Sequence, residues 1–389
     1  MEPSDFHCMR CGDLLELRLD RRLPTQAELF GSNSNPGIWR FGRALPLGRS
    51  GSPISLCEGG SPLIRSSKLG PAIGLSELYI KNEGQNPTGS FKDRGMTVAV
   101  TRAIERHAKV LLCASTGNTS ASLAAYAAKA KGIRAAVLVP AGNVATGKLV
   151  QAVAYGARIM RVRGNFDRAL EMVTEAVRRD PSLYLVNSIN PFRVEGQKTV
   201  AYEIFEQLGL VVPDYVVLPV GNAGNISAVW KGFTELKSWG ISNKLPKLIG
   251  VQAKGAAPIA EAVKEGMNSV KAWKKPKTVA SAIKIGNPVS WKKAMRAIQD
   301  SGGTSLAVPD SEILRARDDL AAKEGVFVEA ASAAPVAALE HLRKVLAPRS
   351  TVVCIATGNG LKDQESVKVD LVSSPQFSDE TGLLKFLKE

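Results

Sequence analysis

A lysine inside a turn-forming segment is the first candidate for covalent chemistry. Residues 86–96 read Asn-Pro-Thr-Gly-Ser-Phe-Lys-Asp-Arg-Gly-Met. The proline and glycine favour a turn, and Thr88 or Ser90 is suited to start the helix that follows. Lys92 would then lie, partly buried, at the positive end of a helix dipole, where the charged form of its amine is disfavoured. A neutral amine is the form that makes a Schiff base with an aldehyde, whereas most lysines on helices are simply solvated.

A loop of small residues is the second candidate, because it is suited to bind an anion. The run Gly-Asn-Ala-Gly-Asn follows an apolar stretch and precedes a helical one. Small side chains let backbone N–H groups approach a phosphate, and a helix end adds partial positive charge. An ordinary tight turn between a strand and a helix is the alternative. The candidate phosphate ligands are Gly221, Asn222, Ala223, Gly224 and Asn225.

Two further polar segments carry groups that bind acidic substrates. Residues 115–119 read Ser-Thr-Gly-Asn-Thr and precede a helix. Their hydroxyl and amide groups can hold a carboxylate or, alternatively, only cap that helix. Residues 187–198 supply an amide, a hydroxyl, an ammonium and the guanidinium of Arg193, which can bind a phosphate through two parallel hydrogen bonds. A surface loop leading into a helix is the alternative for this segment.

Alternating strands and helices would position these loops. Three units share one plan, with an apolar strand at residues 110–114, 215–220 or 351–356 followed by a loop of small residues. A helix follows that loop in the first two units. This alternation is typical of parallel α/β sheets, in which ligands bind at the carboxyl ends of the strands. Further strands are predicted at residues 135–140, 158–162, 183–186 and 248–253, and a helix at residues 166–180.

The lysine segment resembles the cofactor-lysine motif of the tryptophan-synthase-β-like family, pyridoxal-phosphate fold type II, and is most similar to the form found in threonine synthases. This resemblance implies an α/β fold of two parallel-sheet domains, with pyridoxal 5′-phosphate in the cleft between them. Lys92 would carry the cofactor, and residues 221–225 would hold its phosphate. Asn118 would pair with the ring 3′ oxygen. Thr357, in the run Thr-Gly-Asn-Gly-Leu-Lys-Asp, would face the ring nitrogen.

The same resemblance implies how a substrate is held. The carboxylate ligands would be Ser115, Thr116 and Thr119, and the γ-phosphate ligands Asn187, Ser188 and Arg193, with Lys198 as a further candidate. Residues 38–46, 58–63 and 281–291 also match stretches of the family, so the resemblance spans about residues 38–365.

The implied activity is that of a lyase acting on a phosphorylated amino acid. A γ-elimination followed by a β-hydration would convert O-phospho-L-homoserine and water into L-threonine and phosphate. Cysteate synthase, acting on phosphoserine and sulfite, and threonine or serine dehydratase are the alternatives within the family. Dehydratase-like relatives usually place a serine at the position of Thr357. A non-catalytic binding protein built on the same fold is the alternative from another class.

Three parts of the chain are predicted to have different roles. Residues 1–37 form an N-terminal segment with one CxxC pair, residues 38–95 and 199–389 a larger cofactor-binding domain, and residues 96–198 a smaller mobile domain. Many threonine synthases begin with two CxxC pairs that resemble a zinc knuckle. This chain has one such pair, Cys8 and Cys11, and no nearby cysteine completes four ligands, so no metal is predicted. The relatives imply a homodimer.

The composition limits the classes of partner. The net charge of +15 favours acidic ligands, but the basic residues are scattered and no nucleic-acid motif accompanies them. We therefore predict a phosphorylated small molecule as partner and no nucleic acid. No apolar run approaches the roughly 20 residues of a membrane helix, so no membrane contact is predicted. The first residues lack the order of a signal peptide, which predicts a cytoplasmic protein.

Overall fold

The computed structural model describes residues 6–19, 22–31, 37–46, 52–141 and 149–367, which form two open β-sheets with surrounding helices. Parts of the predicted N-terminal segment therefore lie outside the described residues. The strands are β1 (Leu63–Arg65), β2 (Glu77–Asn82), β3 (Val110–Ala114), β4 (Arg134–Pro140), β5 (Arg158–Val162), β6 (Leu183–Leu185), β7 (Tyr215–Pro219), β8 (Lys247–Ala253), β9 (Thr304–Val308) and β10 (Thr351–Ala356).

The helices connect these strands and cover both sheets. In chain order they are α1 (Gln26–Phe30), α2 (Leu69–Ala72), α3 (Lys92–Glu105), α4 (Asn118–Lys129), α5 (Val150–Ala154), α6 (Phe166–Arg179), α7 (Pro191–Gln197), α8 (Thr199–Gln207), α9 (Gly224–Ser238), α10 (Pro258–Lys264), α11 (Trp291–Asp300), α12 (Asp310–Glu324) and α13 (Ala330–Leu342). Short 3-10 turns cover Gly37–Ala44, Glu83–Gln85, Ser281–Ile283 and Gly360–Ser366.

The larger sheet has the strand order β1-β2-β10-β7-β8-β9. Every neighbouring pair is parallel except β1 and β2, which run antiparallel at one edge. Its central strands are buried on both faces, as continuous Val, Ile and Leu runs predict. In β7, Val217 packs into one hydrophobic cluster, while Val216 and Leu218 pack into another on the opposite face.

The smaller sheet has the order β5-β4-β3-β6 and is parallel throughout. Its hydrophobic cluster includes Leu111 and Val137 from the sheet and Met96 and Val100 from α3. The sheet is formed within residues 110–185, and strands on both sides of this range in the chain build the larger sheet. The boundary residues of the two domains, and the mobility of the smaller one, stay predictions.

The seven predicted strands are all present, and each end lies within one residue of its predicted position. α3 begins at Lys92, as predicted, but the predicted cap of this helix is wrong. Neither Thr88 nor Ser90 caps the helix, because its N-cap residue is Phe91, which makes no side-chain cap. Thr88 instead binds the buried Asp93, to whose carboxylate it donates from Oγ1 at 2.6 Å and from its backbone N–H at 2.7 Å.

Two glycines bring α3 and α7 close together. A Cβ atom added to Gly196 would lie 1.8 Å from the carbonyl oxygen of Arg94, and one added to Gly95 would lie 2.7 Å from that of Arg193. Both separations are too short for non-bonded atoms, so only glycine permits this packing. The contact sets the spacing between the first turns of two helices that both carry candidate site residues.

The five cysteines differ in exposure. Cys11 and Cys57 are exposed and Cys8 is half-buried, whereas Cys113 and Cys354 are buried, and burial raises the pKa of both buried thiols. In the N-terminal segment, Gly12 donates its backbone N–H to Cys8 and closes a turn around the CxxC pair. No helix in the described ranges is long and apolar enough to cross a membrane.

Candidate active site

The polar loops singled out above converge on one open cleft of about 2230 Å³. Each of these loops follows the carboxyl end of a strand, namely β3, β6, β7 or β10. This is the edge at which parallel sheets bind ligands. The residues predicted from the sequence that line the cleft are Lys92, Ser115, Thr116, Asn118, Thr119, Asn187, Ser188, Arg193, Gly221, Asn222, Ala223, Gly224, Asn225 and Thr357.

Lys92 faces this cleft as the first residue of α3. Its Nζ lies 4.0 Å from the centre of the Phe91 ring, and no described residue gives it a hydrogen-bond or ion-pair partner. Burial, reinforced by repulsion from Arg193, lowers the pKa of the amine from 10.5 to about 7, and attraction from Glu329 opposes this shift. The direction predicted from the sequence is thus confirmed. A large part of the amine is neutral at pH 7 and able to attack an aldehyde.

Arg193 is a buried guanidinium with few partners. Its side chain is 1% exposed, and Nη1 donates to the carbonyl oxygen of Val186 at 3.2 Å. Nε and Nη2 have no hydrogen-bond partner in the described part of the chain. Burial lowers the pKa of Arg193 to about 10, so the guanidinium stays charged at neutral pH. An unpaired buried cation that lines a cleft is suited to bind an anion.

The loop at residues 221–225 opens the 15-residue helix α9. Ala223 is its N-cap residue and has a φ of 66°, a backbone conformation that alanine rarely adopts and that is frequent at functional sites. Asn225 is buried, and its Nδ2 has no described partner. An unsatisfied donor at a positive helix end fits the phosphate of a cofactor.

The segment at residues 281–290 packs against this loop. The backbone N–H of Ser290 donates to the carbonyl oxygen of Asn222 at 3.1 Å. A Cβ atom on Gly221 would come within 3.0 Å of the carbonyl oxygen of Ala282, so the two segments are in close contact. This packing indicates that residues 281–290 hold the loop at residues 221–225 in place. The sequence analysis identified this stretch only by its resemblance to the family.

The loop at residues 115–119 presents its polar groups at the start of α4. The Ser115 hydroxyl accepts the backbone N–H of Gly117 at 3.2 Å, a local turn that leaves its own proton available. Gly117, the N-cap residue of α4, has no side chain, so no side chain caps this helix. The first-turn N–H groups can therefore bind a carboxylate.

Asn187 and Thr357 are held by neighbours. The Asn187 amide exchanges two hydrogen bonds with the backbone of Ala114, at 3.0 and 2.9 Å, and so ties the end of β3 to the loop after β6. Thr357 is buried, and its Oγ1 lies 2.8 Å from Oγ of Ser332, which also accepts the N–H of Gly358. These contacts fix both side chains at the edge of the cleft.

Lys198 is the candidate that the structure places elsewhere. Its ammonium is fully buried and binds Glu195 and Glu235 at 2.6 and 2.9 Å. It is absent from the lining of the cleft. The prediction that Lys198 contacts the substrate phosphate is wrong, because α7 ends at Gln197 and the lysine points into the contact with α9.

Among the lining residues that sequence reasoning missed, three carry ionisable groups near the predicted ones. Glu329 is buried, and both its carboxylate oxygens accept the Asn118 amide, at 3.0 and 3.2 Å. Lys362 donates from Nζ to the carbonyl oxygen of Thr88 at 2.6 Å and also to Gln151. His7 borders the cleft from the N-terminal segment. None of the three lies in a sequence motif that identifies its role, although Lys362 belongs to the loop that contains Thr357.

Comparison with known proteins places this geometry in a family. The chain matches the family described as pyridoxal-phosphate dependent enzyme over residues 54–358. A threonine synthase from Methanocaldococcus jannaschii is 52% identical over 365 residues, which cover 93% of this chain and 90% of the relative. A threonine synthase from Mycobacterium tuberculosis is 51% identical over 348 residues, which cover 88% of this chain and 93% of the relative.

Solved structures share the fold. Maize serine racemase has a TM-score of 0.67 at 23% identity and covers 84% of this chain, with 92% of its own chain matched. Diaminopropionate ammonia lyase from Escherichia coli has a TM-score of 0.68 at 17% identity, with 85% and 89% of the two chains matched. The predicted α/β fold of two parallel sheets is therefore confirmed.

Proposed function

The chain belongs to the family of pyridoxal-phosphate-dependent enzymes, and from this membership we propose that it acts as a threonine synthase. It is a lyase that converts O-phospho-L-homoserine and water into L-threonine and phosphate. One observation carries the proposal. Threonine synthases are about 50% identical in sequence to this chain over more than 90% of its length. The cleft supports it, because a lysine with a lowered pKa and an unpaired arginine line the same space.

Residues from both sheets would hold pyridoxal phosphate. Lys92 is the attachment point, and residues 221–225 hold the phosphate with backbone N–H groups at the start of α9. Asn118 and Thr357, which also line the cleft, would contact the ring 3′ oxygen and the ring nitrogen, respectively. The bound cofactor supplies an aldehyde for the amine and an electron sink for the substrate α-carbon.

The substrate is held at both of its acidic ends. Ser115, Thr116 and Thr119 bind the α-carboxylate at the start of α4. Arg193 and Ser188 bind the γ-phosphate, and the unpaired Nε and Nη2 of Arg193 are the donors that this phosphate satisfies. Asn187 keeps at most one N–H for the phosphate, because its amide already binds Ala114.

Lys92 is the proton carrier of the reaction. With the substrate bound, its Nζ takes the proton from the α-carbon and, after passing that proton on, takes one from the β-carbon as the γ-phosphate leaves. A pKa of about 7 suits both tasks, since the amine gains and loses a proton readily near neutral pH. Arg193 offsets the charge that builds on the leaving phosphate. A proton is then returned to the γ-carbon, which becomes the methyl group, water adds its hydroxyl at the β-carbon, and the α-carbon regains a proton.

The decisive experiment supplies O-phospho-L-homoserine to the purified, cofactor-loaded protein. Equal amounts of phosphate and threonine are expected, quantified by a phosphate assay and by amino-acid chromatography. Parallel reactions contain phosphoserine with sulfite, or threonine or serine alone. If O-phosphohomoserine yields no threonine, the parallel reactions identify the alternative. Cysteate from phosphoserine and sulfite would indicate a cysteate synthase, and an oxo acid with ammonia from threonine or serine would indicate a dehydratase.

The homodimer, the cytoplasmic location and the mobility of the smaller domain stay predictions. Sedimentation of the loaded protein with and without substrate measures the first and third, because domain closure raises the sedimentation coefficient at constant mass.

A further inference from the structure

Glu329 is a buried carboxylate that the reaction described above does not use. It lies immediately before α13, in the larger domain, and lines the cleft. Burial raises its pKa, while the hydrogen bond from Asn118 and attraction from Lys362 and Lys92 act against this rise. Keeping a carboxylate in such a place is costly unless it makes specific contacts.

The loop after β10 packs directly against this carboxylate. A Cβ atom on Gly358 would lie 2.5 Å from Oε1 of Glu329, so any side chain at this position would displace the carboxylate from its present place. The backbone N–H of Glu329 donates to the carbonyl oxygen of Gly358 at 3.1 Å. Ser332, one turn further along, binds Thr357 and the N–H of Gly358. The start of α13 is thereby joined to the loop after β10.

The carboxylate reaches across the cleft to the other sheet. Its only described hydrogen-bond donor among side chains is Asn118, the first residue of α4, which follows β3 of the smaller sheet. The side-chain amide of Asn118 has no other hydrogen-bond partner among the described residues. With Nδ2 anchored on Glu329, the amide plane is fixed, and one N–H remains to face the cleft.

We propose that Glu329 is a positioning residue that orients the Asn118 amide toward the cofactor from the opposite side of the cleft. The inference rests on the proposed function, in which Asn118 contacts the ring 3′ oxygen. A free amide can rotate and present either its oxygen or its nitrogen to the ring. The carboxylate accepts only from the nitrogen and so selects the donating orientation.

The test is a double-mutant cycle on cofactor affinity. Glu329→Ala, Asn118→Ala and the double variant are prepared without cofactor, and their dissociation constants for pyridoxal 5′-phosphate are measured by fluorescence titration. Each single change is expected to weaken binding by about tenfold, the value of one hydrogen bond to a charged or strongly polar group. If Glu329 acts through Asn118, the double variant is about tenfold weaker as well, and not about a hundredfold.

A conservative variant separates the hydrogen bond from the charge. Glu329→Gln keeps an oxygen that can accept from Asn118 and is expected to bind the cofactor within about threefold of the unchanged protein. Glu58→Gln is the matched control, because Glu58 is also buried with a pKa raised by burial, but lies outside the cleft. If Glu329→Ala does not fold, Glu329→Leu fills the same space without accepting a hydrogen bond and completes the cycle.

Three outcomes overturn the inference. These are unchanged affinity in Glu329→Ala, an additive effect in the double variant, and a loss in Glu329→Gln as large as in Glu329→Ala. The absorption spectrum of each loaded variant is the second readout, since a misplaced Asn118 changes the balance between the visible and near-ultraviolet bands of the cofactor. If only the Glu329 inference is wrong, the unchanged protein still forms threonine from O-phosphohomoserine. If the proposed function is wrong, the unchanged protein forms no threonine.

Discussion

Lys92 and Arg94 lie two residues apart in the first turn of α3, yet their cationic groups have opposite surroundings. Lys92 faces the cleft without a hydrogen-bond or ion-pair partner among the described residues, and its pKa is lowered to about 7. Arg94 is fully buried on the other side of the helix and binds Glu83 and Glu203, each at 2.6 Å. These two carboxylates raise the pKa of the guanidinium above its ordinary value.

The contrast shows that burial alone does not determine what a cation does. Arg94 belongs to a paired cluster in which Lys81 also binds Glu203 at 2.7 Å, so these charges compensate one another inside the protein. Lys92 and Arg193 have no such ion-pair partner among the described residues, which leaves them available to the ligands of the proposed reaction. A structural cation and a candidate catalytic one thus lie within the same turn of α3.

The largest expected effect is on turnover. Lys92→Met should lower kcat by more than about 10³-fold, because methionine has no amine with which to bind the cofactor aldehyde or to transfer protons. Phosphate release from O-phosphohomoserine measures this. The cofactor-free variant should unfold at the same or a higher urea concentration than the unchanged protein. Appreciable threonine production by Lys92→Met would refute the assigned role.

Arg94→Met should give the opposite signature. Removing the guanidinium leaves Glu83 and Glu203 buried without their main partner, which costs about 3–5 kcal/mol of unfolding free energy. Urea unfolding of the cofactor-free protein measures this loss, and activity per folded molecule should fall far less than in Lys92→Met. Equal losses of stability in the two variants would remove the distinction between the two cations.

Much of the fold was predictable from the sequence, and the comparison of the two cations shows why some of the site was not. Apolar runs such as residues 110–114 and 351–356 identify buried strands, and small-residue loops identify the ligand edge. β2 was missed because its sequence, Glu-Leu-Tyr-Ile-Lys-Asn, carries charges at both ends. Lys81 of that strand pairs with Glu203, 122 residues away, and no local sequence pattern predicts such a contact.

The same limit applies to single residues of the cleft. Glu329 and Lys362 contact partners distant in the chain, 211 residues away at Asn118 and 274 residues away at Thr88. Lys198 was assigned wrongly because it follows Arg193 in one segment, and a helix turns successive side chains to different faces. Motifs locate the loops, whereas the contacts of long side chains depend on the packing of distant elements.

A third prediction concerns the second unpaired cation. Arg193→Met should lower kcat/KM for O-phosphohomoserine by about 100-fold, near 3 kcal/mol, because two charge-assisted hydrogen bonds to phosphate are lost. The cofactor dissociation constant should stay unchanged, since residues 221–225 hold the cofactor phosphate. Steady-state kinetics and fluorescence titration provide the two values. A loss confined to cofactor binding would reassign Arg193 to the cofactor.

The smallest effect is a dependence on pH. A folded-state pKa of about 7, lowered from 10.5, means that the folded protein releases the Lys92 proton while the unfolded chain still holds it. Between these two values the stability contributed by this group rises with pH and is fully present above the unfolded value. Cofactor loading of the cofactor-free protein should accelerate about tenfold from about pH 6 to about pH 8 and then level off, as the neutral fraction of the amine does.

Stopped-flow absorbance of the loading reaction measures this profile. Arg193→Met should shift its midpoint upward, since repulsion from Arg193 is one cause of the lowered pKa. A loading rate that keeps rising to about pH 10 would show that the amine has an ordinary pKa, and the contrast with Arg94 would lose its basis.

The glycine contact between α3 and α7 has a consequence for redesign. Gly196 lies against the carbonyl oxygen of Arg94, and Gly95 against that of Arg193, so main-chain atoms touch where the two helices cross. The separation between the backbone positions that carry Lys92 and Arg193 is therefore set by glycine packing. A larger residue at Gly95 or Gly196 would push the two helices apart and, with them, the two cations that line the cleft.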